Sequence, residues 1–583
     1  MNKVIRMVVT TTSVVIVSTL LLTIPNPISP VAAQGPGGIT GVPVIASGSA
    51  VVNFAELARQ ESSRSPVSGS PRGVAVPFNS YVDPNSTFNP RVPDSPVARP
   101  QPSLASPGPS LNYMGLDDIA VSGTNNYKIP PDTMGAVGLT RVLDTLNNNY
   151  RVQDKATGAT VSTLSMGAFW ASTGATGPFD PKTFYDPYNN RFIVAAVSNA
   201  ASPASAIAVG VSTGSDPNSS FNLFKFAACN STFPCGGGTA DWWADYPTVG
   251  FNKNWIAVAV NMFETATGTY KESRLLVFNY PQLLAGMSPS PKYFTGLTDF
   301  AVQPCVTYAG SENTLFAPVH IGGYGASYRL NTITGTPDMP LYAQGVLKFH
   351  TVASLKGGWS EPSGLTDIEP QSSGTGGSTD VAKINSGDSR ILKCTFRNGN
   401  IWYSQTVGLP TLGMTHTAAQ WVRLDTNGND VDGGRVEDPT ATATNGGKWY
   451  AYPTLTVNAF NEVLMGFTQF ASNQWPSAGY VFRYGYDTAG TMRDPYIYKS
   501  GEGMYWKTFA CPGGSNRWGD YSATMVDPVD GLTMWTLQQY SRSEGALSGA
   551  GFPGTGCNSG VWSTWWARVG TPRTLSFFPL IAK

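Results

Sequence analysis

Asp132, Asp180, Asp245, Tyr246, Tyr452, Asp520 and Tyr521 stand at or beside the opening residue of a pattern that recurs along this 583-residue chain. Carboxyl groups and phenols that converge can move protons or attack a sugar carbon. Asp132, Asp180, Asp520 and Tyr521 are therefore the candidate catalytic residues. Asp245, Tyr246, Tyr452 and Arg517 are candidate ligand contacts, with the indoles of Trp518, Trp242 and Trp243 offered for stacking on a sugar face or anchoring a partner. Each has a plainer alternative. An Asp at a strand end caps turns and binds backbone N–H groups, and a Trp in a sheet fills the space between sheets.

Other motifs point to less. Asp425, Asn427 and Asn429, with Asp430 and Asp432, gather oxygens that could hold calcium. The run fails as an EF-hand, because Asp430 occupies the Gly position and Val436 the Glu position. A hairpin turn at Asn427-Gly428 is the simpler expectation. The Gly-rich run 372–378 opens no helix and so offers no phosphate cradle. His320, His350 and His416 are far apart in sequence, with no Ser/His/Asp spacing. No zinc motif is present, and no metal site is expected beyond the calcium alternative. A formal charge of zero, with only 13% charged residues, supplies no basic face for nucleic acid.

What must position the openers is the repeat itself. An opener is followed six residues later by Asn or Asp, then by an apolar strand. Tyr246 to Asn252 leads into Trp255–Val260, Tyr452 to Asn458 into Val463–Phe467, and Tyr521 to Asp527 into Leu532–Leu537. Asp180 to Asp186 leads into Phe192–Val197, and Asp132 opens a first copy. A divergent copy starts near Gln303, and another runs Ile391–Phe396, turns at Asn398-Gly399 and continues Ile401–Ser404. Seven such units are counted. A small antiparallel sheet with two apolar faces is marginal and sticky alone, whereas radial stacking buries both faces. The expected fold is an all-β, seven-bladed β-propeller over 112–571, with all openers at one rim. Asp118–Val121 is expected to complete the last blade, with the tail strand 574–578 as rival.

The flanks read differently. Lys3 and Arg6, an apolar run to Ile24 and Val31-Ala32-Ala33 form an export signal over 1–33. Residues 34–111, rich in Pro, Ser and Gly, are expected to be a disordered linker, with at most a transient helix over Val51–Glu61. Residues 572–583 form a short tail. After cleavage no span crosses a membrane, so the protein is expected outside the cell or at its surface, as a monomer. The six cysteines suit that compartment and allow fifteen pairings. Cys229–Cys235 and Cys511–Cys557 are favoured, leaving Cys305–Cys394.

The runs Pro131–Gly138 and Asn516–Ser522, with Asp527-Pro528-Val529-Asp530, resemble a group of large secreted bacterial β-propeller proteins, a resemblance that assigns no activity. More distantly the units are similar to the sialidase and Asp-box superfamily. Asp216, Asn218 and Phe221 mimic parts of an Asp-box, which implies a hairpin and not catalysis. That superfamily grips a carboxylate with three arginines, the first in a Tyr/Phe-Arg-Ile-Pro motif. Here Tyr127-Lys128-Ile129-Pro130 replaces the planar fork with a point charge, leaving Arg517 and Arg397 as contributors. The expected function is binding of an extracellular glycan or protein. A glycan-acting hydrolase or lyase with acids at the channel mouth is the alternative, and a structural or adhesive role the third.

Overall fold

In the computed structural model, which describes residues 38–63, 72–75, 104–118, 126–235, 241–321, 326–362, 367–372, 383–508, 514–543 and 560–570, nearly every apolar run is a strand. The Asn or Asp six residues past the opener is the turn former. Asn252 Oδ1 accepts from the N–H groups of Asn254 and Trp255 at 2.9 and 3.0 Å. Asp186, Asn458 and Asp527 likewise accept from the N–H two residues on, at 2.8, 2.9 and 2.9 Å. These Asx turns reverse the chain after each first strand and fix its register with the second.

The repeats are antiparallel meanders. The first sheet pairs Thr133–Val137, Arg141–Leu146, Asn149–Asp154 and Thr160–Ser165. The second begins Phe179–Asp186 and Arg191–Ser198, and the third Trp242–Phe251 and Trp255–Glu264. The fourth pairs Leu315–Ile321, Ser327–Thr336 and Met339–Ala343, and the short strand Val306–Thr307 ahead of it lies between the first strands of the third and fifth. The fifth begins Lys393–Arg397 and Asn400–Leu409, and the sixth Trp449–Val457 and Val463–Ala471. The last has Ala523–Val526, Met534–Arg542 and Val561–Val569. Consecutive sheets share buried apolar clusters. Val258 and Phe278 of the third sheet join one cluster with Ile193 and Phe226 of the second. Cys305 and Phe316 of the fourth meet Cys394 and Tyr403 of the fifth. Val137 and Val142 of the first pack on Trp535 and Trp566 of the last. This is a propeller-like β fold in which sheet faces, not helices, form the core.

Two disulfides lie among the described residues. Cys229–Cys235 closes a short loop, and Cys305–Cys394 joins the segment leading into the fourth sheet to the first strand of the fifth. Val306 pairs in parallel with both Phe251 and Thr395 nearby. Cys511, Cys557, residues 1–33 and the tail 572–583 lie outside the described residues. Among the described residues no helix is long and apolar enough to cross a membrane.

An N-terminal strand does complete the last sheet, but earlier in the chain than expected. Leu111–Asp117 pairs antiparallel with Val561–Val569, and Asp118 adds one bond from its N–H to Trp562 O at 3.0 Å. Residues 119–121 and the rival strand 574–578 are outside the described residues. Leu116 is wholly buried, which is what places the strand there. The buried Asp144 carboxyl fastens it, accepting from Leu116 N at 2.6 Å and Thr564 Oγ1 at 2.9 Å.

The expectation of a disordered linker over 34–111 fails for its described part. Ile39–Thr40 pairs with the fourth sheet at Leu341 and Tyr342, and Val42–Pro43 with the third at Lys292 and Tyr293. Gly48–Asn53 adds a full outer strand to the second sheet, beside Ser220–Ala227. The helix then starts at Phe54, not Val51, because Asn53 caps it by accepting from Glu56 N at 3.0 Å. It is docked on the first sheet. Phe54 and Ala58 are buried, and Glu61 accepts from Ser165 N and Oγ at 2.7 and 2.5 Å. Farther on, Ser106 Oγ donates to Asp494 O at 2.7 Å, and Tyr480 OH to Pro107 O at 2.5 Å, tying the chain to the sixth sheet. Composition alone missed this, because backbone edge bonds satisfy a polar, Pro-rich chain without a core of its own.

Candidate functional site

The openers are backbone bulges. Asp132, Asp180, Tyr246 and Tyr452 have φ of 46°, 54°, 51° and 56°, the left-handed region that L-residues seldom occupy. Pairing slips at the same places, between Phe179 and Lys182, Asp245 and Thr248, and Ala451 and Thr454. Pro181, Pro247 and Pro453 sit inside these slips, where no ladder N–H is needed. Bulges of this kind re-aim side chains, and non-Gly residues persist in this strain only where the surroundings enforce it.

The side chains converge into one buried network. Tyr521 OH donates to Asp180 Oδ2 at 2.8 Å. Lys182 Nζ lies 2.9 Å from the centre of the Tyr521 ring, and Tyr246 packs on that ring at 4.9 Å between centroids. The Arg390 guanidinium sits 3.9 Å from the centre of the Tyr246 ring and binds Asp388 through both Nε, at 2.6 Å, and Nη2. Arg517 Nη2 bridges both oxygens of Asp520 at 2.7 and 2.9 Å. Asp132 accepts from Asp520 N and from Asn147 Nδ2, each at 2.7 Å. Asn147 Oδ1 in turn accepts from Asp180 N at 2.6 Å. Asp245 Oδ1 accepts from Tyr246 N at 2.8 Å, and Tyr452 OH donates to Asn385 O at 2.7 Å. Residues 388 positions apart in sequence thus share hydrogen bonds.

Protonation follows from burial. Asp132, Asp180, Asp245, Asp388 and Asp520 outnumber the cations Lys182, Arg390 and Arg517. Burial, then Asp245 and Asp520, pushes Asp180 up to about 8. Burial raises Asp245 to about 7, with backbone N–H bonding from Tyr246 opposing it. Burial and the Asp520 and Asp180 charges lift Asp132 well above the carboxylate range. Burial pulls Lys182 down to about 7 despite the neighbouring Asp180. Asp388, although buried, is held below its ordinary value by Arg390. Carboxyl groups and an amine that titrate near neutrality are the equipment of proton transfer. Tyr246, Asp388, Arg390, Tyr452 and Asp520 line a narrow cavity beside the network.

Of the residues singled out in the sequence, Asp132, Asp180, Asp245, Tyr246, Tyr452, Arg517, Asp520 and Tyr521 meet here. The indoles do not share the cavity. Trp518 is wholly buried, edge-on to Tyr505 and Phe470. Trp243 packs near Phe179 and Phe263, and Trp242 lies 5.7 Å from the Arg274 guanidinium. Sequence reasoning missed Lys182, Asn147, Asp388 and Arg390. Lys182 was legible as the residue after Asp180-Pro181. Asp388 and Arg390 belong to a unit without an aromatic opener and left no such signal. Arg397 lies 5.7 Å from the Tyr308 ring centre, on the first strand of the fifth sheet, while Lys128 is partly buried on Asn126–Ile129, a strand paired with Arg72–Ala75.

The remaining motifs have local partners. Asp425 accepts from Asn427 N, Asn429 N and Asn429 Nδ2 at 2.8–2.9 Å, forming the turn between His416–Leu424 and Asp430–Val436. Asp430 binds His350 Nδ1 at 2.9 Å, and Asp432 lies 3.4 Å from Arg483. Asp216 Oδ1 accepts from Asn218 N at 2.9 Å in a hairpin turn. Residues 373–378 of the Gly-rich run lie outside the described residues. The histidines are not isolated, since each has an acid nearby. His320 Nε2 is 3.0 Å from Ser389 Oγ and 3.7 Å from Glu361, and His416 Nε2 is 3.6 Å from Glu437. Ser389 Oγ donates to Glu361 itself, so these three lack the serine–histidine–acid order of a hydrolytic triad.

No protein-family model matches the chain, and no curated protein matches it. Among solved structures it is similar to the GH93 α-L-arabinofuranosidase of Fusarium graminearum, with 9% identity over 78% of this chain and 98% of that one and a TM-score of 0.34. It is also similar to the phage phi92 endosialidase, with 9% identity, coverages of 69% and 68% and a TM-score of 0.30. The WD40 domain of SCAP from fission yeast gives 10% identity, coverages of 70% and 80% and a TM-score of 0.29.

Proposed function

We propose that this protein is an exported, monomeric seven-bladed propeller whose opener cluster acts on an extracellular glycan as a hydrolase or lyase. The observation that carries the reading is the Tyr521–Asp180 hydrogen bond of 2.8 Å, with Lys182 over the phenol ring. Asp180 in its ionised form takes the phenol proton, against the burial that holds Tyr521 well above the ordinary phenol range, and Lys182 in its charged form offsets the negative charge left on the ring. Asp520 and Arg390, on the cavity wall, face the substrate. Asp132 positions Asp520 through its backbone N–H.

The test is a glycan array with the mature protein, followed by product analysis of each hit. Tyr521→Phe keeps the ring under Lys182 and is expected to abolish turnover while leaving glycan retention and melting nearly unchanged. Retention without any product from the native protein would refute the reading.

A second reading has its own support. The openers are almost fully buried, and Arg517 and Arg390 each already hold an aspartate. On this reading the cluster is a hub that locks the sheets, and the outer surface binds a glycan or protein. Asp520→Asn then lowers stability by about 3–5 kcal/mol by stripping a buried arginine of its partner, while ligand retention, scored on the folded fraction, is unaltered.

A further inference from the structure

The strand that completes the last sheet ends on an ion pair that takes no part in the opener network. Asp118 Oδ2 accepts from Lys507 Nζ, and both side chains are wholly buried. The two residues are 389 positions apart in sequence. Leu116, Tyr505 and Trp562 beside them belong to one buried apolar cluster. Both backbones are held in place. Asp118 N donates to Trp562 O at 3.0 Å, and Asp118 O accepts from Asn148 Nδ2 at 3.0 Å. Lys507 N donates to Asn516 Oδ1 at 2.8 Å, and Lys507 O accepts from Arg517 N at 3.3 Å. The Lys155–Asp527 pair is built differently. Besides the lysine, Asp527 accepts from Val529 N at 2.9 Å and Trp535 Nε1 at 2.8 Å, so both of its oxygens are engaged. Asp118 Oδ1 is buried with no side-chain partner among the described residues. Burial accordingly raises the Asp118 carboxyl to about 6, against the opposing Lys507 charge and, last, the Trp562 backbone.

We propose that Lys507 and Asp118 condense to an intramolecular isopeptide bond, which locks the completing strand to the connection between the sixth and last sheets. Two opposite charges inside an apolar cluster are costly, and a proton passed from the ammonium to the carboxylate leaves a neutral amine against a neutral acid. The fixed backbones hold the nucleophile on its carbonyl, which removes the positional entropy that a bimolecular condensation would have to meet. The Nζ lone pair forms the bond to Cγ while the carbonyl π electrons move to oxygen. A proton passes from nitrogen to the hydroxyl, the carbonyl re-forms, and the hydroxyl leaves as water. No oxidant or reductant is consumed. The amide that results removes both charges from the interior.

Reduction, denaturation and tryptic digestion of the folded native protein, followed by peptide mass mapping, read the bond directly. The expected product is one branched peptide that holds both Asp118 and Lys507, is one water lighter than its two parts, and has lost the cleavage after Lys507. Lys507→Arg keeps the opposite charges but cannot form this amide, so its two peptides should appear separately and at full mass. Native protein that yields Asp118 and Lys507 on separate peptides, with Lys507 open to trypsin, would overturn the proposal. So would a loss of water confined to the Asp118 peptide, the mark of a cyclic imide. A link that forms equally in protein kept in denaturant would overturn it too, because the buried pair would then not be its source.

Discussion

Replacing both Cys305 and Cys394 by Ala should cost far more than replacing Cys229 and Cys235. The first bridge closes a sequence separation of 89 residues and the second only 6. Loop-closure entropy puts the first at about 4.6 kcal/mol and the second at about 2.2 kcal/mol at 25 °C. Spread over a melting entropy of about 0.9 kcal/mol/K for a folded unit of this size, these become losses of about 5 °C and about 2 °C in Tm. Both cysteines of the long bridge are fully buried, so the two methyl-sized voids left behind can only enlarge the first figure. Calorimetry of the two double variants and the native protein, at one scan rate and pH, supplies the comparison. Equal shifts, or a larger shift for the short loop, would refute the entropic account and imply that the fourth and fifth sheets are held together without the bridge.

Phe54→Ala tests the docked arm. Phe54 is fully buried and its ring lies 6.0 Å from that of Phe169, so the loss should be about 3–5 kcal/mol; an unattached arm would show none in a denaturant titration. The opener carboxyls set the pH dependence. Asp180 and Asp245, raised to about 8 and about 7 from the model-peptide value of 3.8, contribute stability that is complete below pH about 4 and lost as pH rises through 7–8. Lys182, lowered to about 7 from 10.5, works in the opposite sense, its contribution being lost as pH falls through about 7. With Asp132 and the buried Glu369 also raised, four acids stand against the two lowered amines Lys182 and Lys393, so Tm should fall from pH 6 to pH 9, and Asp180→Asn should flatten that fall; an unchanged slope in the variant would contradict the assignment.

The turn formers were legible because an Asx turn needs an oxygen at a fixed offset from the strand, and Asn252, Asn458 and Asp527 stand there in the sequence. The openers were legible for the same reason: Tyr-Pro marks a bulge that tolerates a missing N–H. The partners of those openers were not. Asp388 and Arg390 arrive from a unit whose opening carries no aromatic, and Asn147 lies in a turn of the first sheet. Only the packing of the sheets brings Asn147 within 3 Å of Asp132 and Asp180 and sets the Arg390 guanidinium 3.9 Å from the centre of the Tyr246 ring. The arm misled for a different reason. Its affinity for the sheets lies in main-chain N–H and C=O groups, which every sequence possesses, so Gly48–Asn53 reads as a spacer although it is a strand. The indoles looked like a binding face because composition cannot tell an exposed Trp from one wedged in a core.

The pairing of Leu111–Asp117 with Val561–Val569 orders events during synthesis. The earlier strand leaves the ribosome some 450 residues before its mate, and Gly48–Asn53 must likewise wait for Ser220–Ala227. Gly48–Asn53 can close on its partner once residue 227 is made, whereas Leu111–Asp117 stays unpaired until Val561–Val569 follows it. A premature stop between residues 228 and 560 therefore leaves the edge of Leu111–Asp117 open while Gly48–Asn53 keeps its partner strand.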